Sequence, residues 1–147
     1  MLGVIMSLDH HQRLILKREL GELDRLAAWV QAIEQQIDLG PEVAFALELC
    51  LEEAIANIIM YGDARQHGDI SVTVEQTSPG IVARIEDDGW HFDPTSVMRR
   101  KAPQSLDDAR VGAVGIHLIR SFATDMRYER TSGCNTLTLT FAAGAGA

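Results

Sequence analysis

The 147-residue chain predicts an α+β fold, a two-layer α/β sandwich with a mostly antiparallel sheet and helices on one face. Three observations carry that reading. Residues 19–36 and 41–60 have apolar side chains at helical spacing. Ile70, Val72 and Val74, then Ile81, Ala83 and Ile85, alternate with polar residues on either side of Ser78-Pro79-Gly80, the pattern of a hairpin. After a long loop and one more helix, two further alternating runs close the chain. The resulting order, β-α-α-β-β-loop-α-β-β, places helices on a sheet whose neighbours are joined by short turns.

Each element has a local reason. Residues 13–17 read as a short strand. In the first helix Leu20, Leu23, Ala27, Val30 and Ile37 approximate one stripe, and Leu39-Gly40-Pro41 separates it from the second, Gly stopping one helix and Pro opening the next. Residues 90–111 show weak periodicity and exceed the ~15 residues usual for a connection, a length typical of functional loops. A helix over residues 113–122 follows, then strands over 126–130 and 136–141. The Ala/Gly tail, residues 142–147, reads as frayed. No repeat or linker divides the sequence, so residues 1–147 form a single domain in this reading.

Bulk properties exclude several classes. A net charge of −8, with no basic run longer than Arg99-Arg100-Lys101, argues against a nucleic-acid partner. No apolar stretch reaches the roughly 20 residues needed to span a bilayer, which argues against a membrane partner. The N-terminus lacks the basic segment of a secretion signal, which favours the cytoplasm. Cys50 and Cys134 are far apart and lack ligand-like neighbours, so both read as reduced. His10-His11 has no further metal ligand nearby, and no Ser-His-Asp arrangement is legible.

Three short motifs remain. Glu53-x-x-x-Asn57 lies in the second helix, on a side about 140° away from Glu48 and Glu52, among Ala46, Leu49, Cys50 and Met60. Glu48 and Glu52 read as the solvated stripe. Polar groups on an apolar side need a partner such as an ion or ligand; the alternative is a helix with two wet faces. Asp87-x-Gly89 ends the second hairpin strand, and parity puts Asp87 in the inward row with Ile81, Ala83 and Ile85. There it can accept a hydrogen bond from an exocyclic amine, with Gly89 letting a planar base approach; the alternative is an ordinary Asp-Asp-Gly turn. Gly112-x-x-Gly115 opens the last helix, where free backbone N–H groups and the positive dipole end attract anions; the alternative is a packing device.

Taken in order, Glu53-x-x-x-Asn57, Asp87-x-Gly89 and Gly112-x-x-Gly115 resemble the N, G1 and G2 boxes of the GHKL (Bergerat-fold) ATPases. The nearest branch is the bacterial anti-sigma factor serine/threonine kinases. The resemblance runs from about residue 19 to 141 and includes the approach Gly133-Cys134-Asn135-Thr136-Leu137 to the last strand. It implies ATP and Mg²⁺ as cofactors and residues 90–111 as a mobile ATP lid. By resemblance Asn57 coordinates Mg²⁺ and Glu53 is the general base. Asp87 and Gly89 meet adenine, and the amides of Gly112, Ala113, Val114 and Gly115 hold the phosphates. The implied partners are a STAS-domain antagonist that is phosphorylated, a sigma factor or other client that is sequestered, and a second copy of the chain in a homodimer.

Two departures stand out. Ala113 replaces the second glycine of the usual Gly-Gly-x-Gly run, and Tyr61 stands near a position where many relatives carry His. The cation that steadies the γ-phosphate stays open among Arg99, Arg100, Lys101 and Arg110, with His117 another residue near phosphate and Trp90 a cover for the base. Two other functions remain alongside the kinase: a nucleotide-gated binding module without meaningful catalysis, and a detached histidine kinase catalytic domain.

Overall fold

The structure, a computed structural model, describes residues 11–61, 68–77, 80–89, 93 and 111–142. Several sequence expectations fall outside these: Trp90, Arg99, Arg100, Lys101 and Arg110 of the long loop, the Ser78-Pro79 turn, His10 and the Ala/Gly tail from residue 143 onward.

Among the described residues, five strands and three helices follow in the expected order. They are β1 His11–Leu16, α1 Glu22–Gln36, α2 Gly40–Tyr61, β2 Ile70–Thr77, β3 Gly80–Asp87, α3 Val111–Phe122, β4 Asp125–Thr131 and β5 Cys134–Ala142. The sheet order is β1-β2-β3-β5-β4, and every neighbouring pair is antiparallel. β3 therefore lies at the centre, hydrogen-bonded on both sides. Its register against β5 runs from Gly80 opposite Ala142 to Asp87 opposite Asn135.

Alternation decides which way the sheet faces. Leu14 and Leu16, Ile70, Val72 and Val74, Ile81, Ala83 and Ile85, and Leu137, Leu139 and Phe141 all join one buried cluster with the helices. The intervening residues, such as Ser71, Thr73, Arg84, Thr138 and Thr140, stay half-buried or exposed. The helices thus cover one face and leave a polar second face. Among the described residues no helix is long and apolar enough to cross a membrane.

α2 is the spine of the helical layer. Ala46, Leu47, Cys50, Leu51, Ala54 and Ile55 are buried along it, and its first residue, Gly40, has φ 74°, a left-handed turn that Gly adopts at little cost. α1 carries Glu22 and Asp24 in its first turn, where the N-terminal dipole favours negative charge. The stripe on α1 is phased differently from the sequence reading. Leu26, Val30, Ile33 and Ile37 are buried, while Leu20 is 52% exposed. Leu20 falls in the turn before Glu22, so its side chain is not carried on the helix at all.

Two details of α2 also differ. Met60 is exposed, since the apolar side near Asn57 ends within the last turn. Glu48 and Glu52 are half-buried rather than fully solvated. Burial, then Glu48 and Glu53, push the Glu52 carboxyl above its usual range; burial and Glu48 do the same to Glu34 on α1. A raised carboxyl pKa favours the protonated form in the folded chain, so this support is complete in acid and is lost as pH rises through the raised values. Glu48→Gln removes the shared repulsion. It is expected to stabilise the chain by about 0.2–0.5 kcal/mol at pH 7, as for a like-charge pair one turn apart, with the gain vanishing below about pH 4. Urea unfolding at the two pH values measures it.

Candidate functional site

The polar pair on α2 is built into the packing of α3. Asn57 is only 6% exposed. Its Nδ2 donates to the Glu53 carbonyl oxygen at 2.9 Å, one turn back along the helix. That bond ties up the amide nitrogen and leaves Oδ1 without a partner among the described residues. An amide oxygen left uncommitted in this way can accept from a ligand or bind a cation.

Gly115 lies against this pair. A Cβ built on it would collide with Glu53 Oε2 and stand 3.3 Å from Asn57 Nδ2. Any side chain here would enter the space held by the Glu53 carboxylate, so the present approach of the two helices uses the missing Cβ. α3 begins at Val111, two residues ahead of the start expected from sequence. The first turn, with N–H groups that have no intrahelical acceptor, therefore spans Val111, Gly112, Ala113 and Val114. Gly115 sits one step further in. The helix brings its donor-rich end and the Glu53–Asn57 pair to one place.

Asp87 anchors a second cluster. It is 6% exposed, in the inward row that parity assigns it. Three donors converge on a single oxygen: Gly89 N at 2.6 Å, Arg18 Nη2 at 3.2 Å and Asn135 Nδ2 at 3.2 Å. The bond from Gly89 closes the Asp-x-Gly turn, so the turn and the inward carboxylate are the same feature. Oδ2 has no partner among the described residues. The result is a fixed, buried carboxylate that presents one acceptor oxygen.

Four residues of this cluster, Arg18, Tyr128, Arg130 and Asn135, escaped the sequence reading as site residues. Asn135 is 6% exposed and faces inward with Leu137 and Leu139, so the parity test that found Asp87 would also have found it. Its Oδ1 accepts from Arg130 Nη1 at 2.8 Å and from the Tyr128 hydroxyl, which fixes the amide orientation. Arg130 Nη1 also donates to Gly89 O at 2.9 Å. Arg18 follows β1; its Nε donates to Gly68 O at 3.0 Å, and its Nη2 reaches Asp88 Oδ1 at 3.3 Å besides Asp87. No motif signals Arg18.

The structure joins Glu53, Asn57 and Gly115 directly, and Asp87 with Gly89. No hydrogen bond or ion pair among the described residues links the two clusters, or links the half-buried His117 side chain to either. Both cysteines are free. Cys50 is buried and its thiol is pushed up to about 12 by burial and Glu53. Burial, then Glu86, Asp87 and Asp88, raise Cys134.

The histidine kinase-like ATPase domain family matches residues 16–141. The serine/threonine-protein kinase BtrW of Bordetella bronchiseptica is 34% identical over 113 residues, covering 76% of this chain and 80% of that protein. A crystal structure of the RsbU and RsbW domains of a Mycobacterium tuberculosis protein superposes with a TM-score of 0.64 at 15% identity. That superposition covers 90% of this chain, which spans 32% of the solved one.

Gly115→Ala separates packing from chemistry. The obstructing atom is the far end of a flexible Glu53 side chain, and Ala gains about 0.5–1 kcal/mol in a helix interior. Stability is therefore expected to change by less than about 1 kcal/mol, while a crystal structure of the variant shows the Glu53 carboxylate swung away from α3.

Proposed function

The chain belongs to the histidine kinase-like ATPase (GHKL) family, and on that premise we propose that it is an ATP-dependent protein serine/threonine kinase of the anti-sigma-factor branch. The observation that carries the nucleotide site is Asp87, whose Oδ1 is engaged by three donors and whose Oδ2 is left to accept. A carboxylate oxygen so presented suits an exocyclic amine, and adenine offers one. Gly89, buried beside it, leaves no side chain between the backbone and a planar base.

The rest of the site follows from what phosphoryl transfer needs, which is positioning, charge neutralisation and one group to receive a proton. The first-turn amides of Gly112, Ala113 and Val114, with the close backbone of Gly115, form the phosphate cradle. Asn57 Oδ1 is a hard oxygen that would suit Mg²⁺; one amide is no cage, so the ion would need its other ligands from phosphate and water. When bound, the ion neutralises phosphate charge. Glu53 accepts the proton of the partner's serine or threonine hydroxyl as the new O–P bond forms and the bond to the leaving ADP oxygen breaks.

In this reading the phosphorylated partner is a STAS-domain antagonist, the client is a sigma factor or another regulator, and the chain acts as a homodimer. The curated relative, named a serine/threonine-protein kinase, supports the reaction class. Glu53→Ala is expected to keep ATP affinity and lower phosphorylation of a STAS partner by at least about 10²-fold. Label transferred from [γ-³²P]ATP should survive acid. Acid-labile label would instead indicate phosphohistidine, and unchanged control of the client in Glu53→Ala would leave a nucleotide-gated binding module. Asp87→Asn should weaken nucleotide binding by roughly 10- to 150-fold, the value of about 1.5–3 kcal/mol for a hydrogen bond to a charged group. Titration calorimetry reads that change.

A further inference from the structure

We propose that Arg18 is a positioning residue for base recognition, holding the Asp87 carboxylate so that only Oδ2 faces the exocyclic amine; this rests on the nucleotide site proposed above. The side chain of Arg18 is 10% exposed and that of Asp87 6%, so this is a buried ion pair. Arg and carboxylate prefer to meet as a fork, with two parallel N–H···O bonds. Here they do not. Nη2 alone reaches Asp87, on Oδ1 at 3.2 Å, and the same nitrogen also reaches Asp88 at 3.3 Å. Nε is spent on Gly68 O. Nη1 is buried with no hydrogen-bond partner.

That geometry is a poor choice for stability alone. A buried unpaired donor costs about 1–3 kcal/mol, and a forked pair would avoid it by engaging Oδ2. What the single-point contact achieves is selective occupancy: Arg18, Asn135 and Gly89 all crowd one oxygen and leave the other. Local departures of this kind, tolerated without a structural return, are expected at functional sites. Arg18 also bridges Asp87 to the segment before β2. A Cβ on Gly68 would collide with the Asp88 carboxylate, so the segment before β2 lies against the turn that follows Asp87.

The test compares two ligands on the full-length chain by calorimetry, ATP and the triphosphate of purine riboside, which lacks the exocyclic amine. The wild type should prefer ATP by roughly 10- to 150-fold, the range for a hydrogen bond to a charged group. In Arg18→Met that preference should fall to within about threefold, while kcat at saturating ATP stays at the wild-type value and KM rises. A purely structural role would weaken both ligands equally and keep their ratio; that result overturns the proposal. Should Arg18→Met fail to fold, Arg18→Lys carries the same test. Its ammonium lacks the fork that serves Asp87, Asp88 and Gly68 together, so the ratio should drop at least threefold, and an unchanged ratio overturns the inference. A wild-type chain that binds ATP without any preference for the amine places the fault earlier, in assigning adenine to Asp87. A wild-type chain that binds neither ligand removes the nucleotide site itself.

Discussion

A carboxylate buried at the end of the central strand is the constraint around which one end of this molecule is organised. Moving an ionised group out of water is costly unless hydrogen bonds replace its solvation. Asp87 obtains them from three directions: its own turn through Gly89, the facing strand through Asn135 and the far side of the sheet through Arg18. The register Asp87 opposite Asn135 is thus more than a ladder rung. Slipping β3 by one residue would turn Asp87 away from the interior, part it from Asn135 and expose the Ile81–Ile85 row.

The second cluster obeys the same rule with a neutral group. Asn57 satisfies its nitrogen within α2 and keeps its oxygen available, while Gly115 lets α3 approach until its first turn flanks the Glu53 carboxylate. Each cluster commits some polar atoms to the protein and leaves one acceptor uncommitted. Rigidity on one side of the side chain is what makes the other side specific. In the nucleotide site proposed above, one ligand would engage both uncommitted oxygens.

How much of this the amino-acid order revealed depends on the range of each interaction. Alternation in β2 and β3 and the helical spacing of Glu53 and Asn57 are local, and they placed Asp87 inward and the polar pair on one side of α2. The phase of α1 differs from the sequence pattern because Leu20 lies before the helix, in a stretch where the Glu22 carboxylate accepts from the Lys17 backbone N–H. Gly115 stood out by spacing, but its reason, the neighbouring carboxylate, belongs to another helix. Arg18 was illegible. It lies in irregular chain and its partners are 50, 69 and 70 positions away, so no periodicity points to it. Asn135 was within reach of the same parity argument as Asp87, since it shares an inward row with Leu137 and Leu139.

The two thiols differ in a way that is of practical use. With its thiol near 12 and no exposed surface, Cys50 is about one part in 100,000 thiolate at pH 7, and alkylating dyes will pass it by. Cys134 is partly accessible and, one residue before Asn135, points to the opposite, uncovered side of the sheet. A maleimide fluorophore attached there in mildly alkaline buffer would sit behind the Asp87 cluster without obstructing it. The native chain thus carries its own single attachment point for an optical reporter of occupancy.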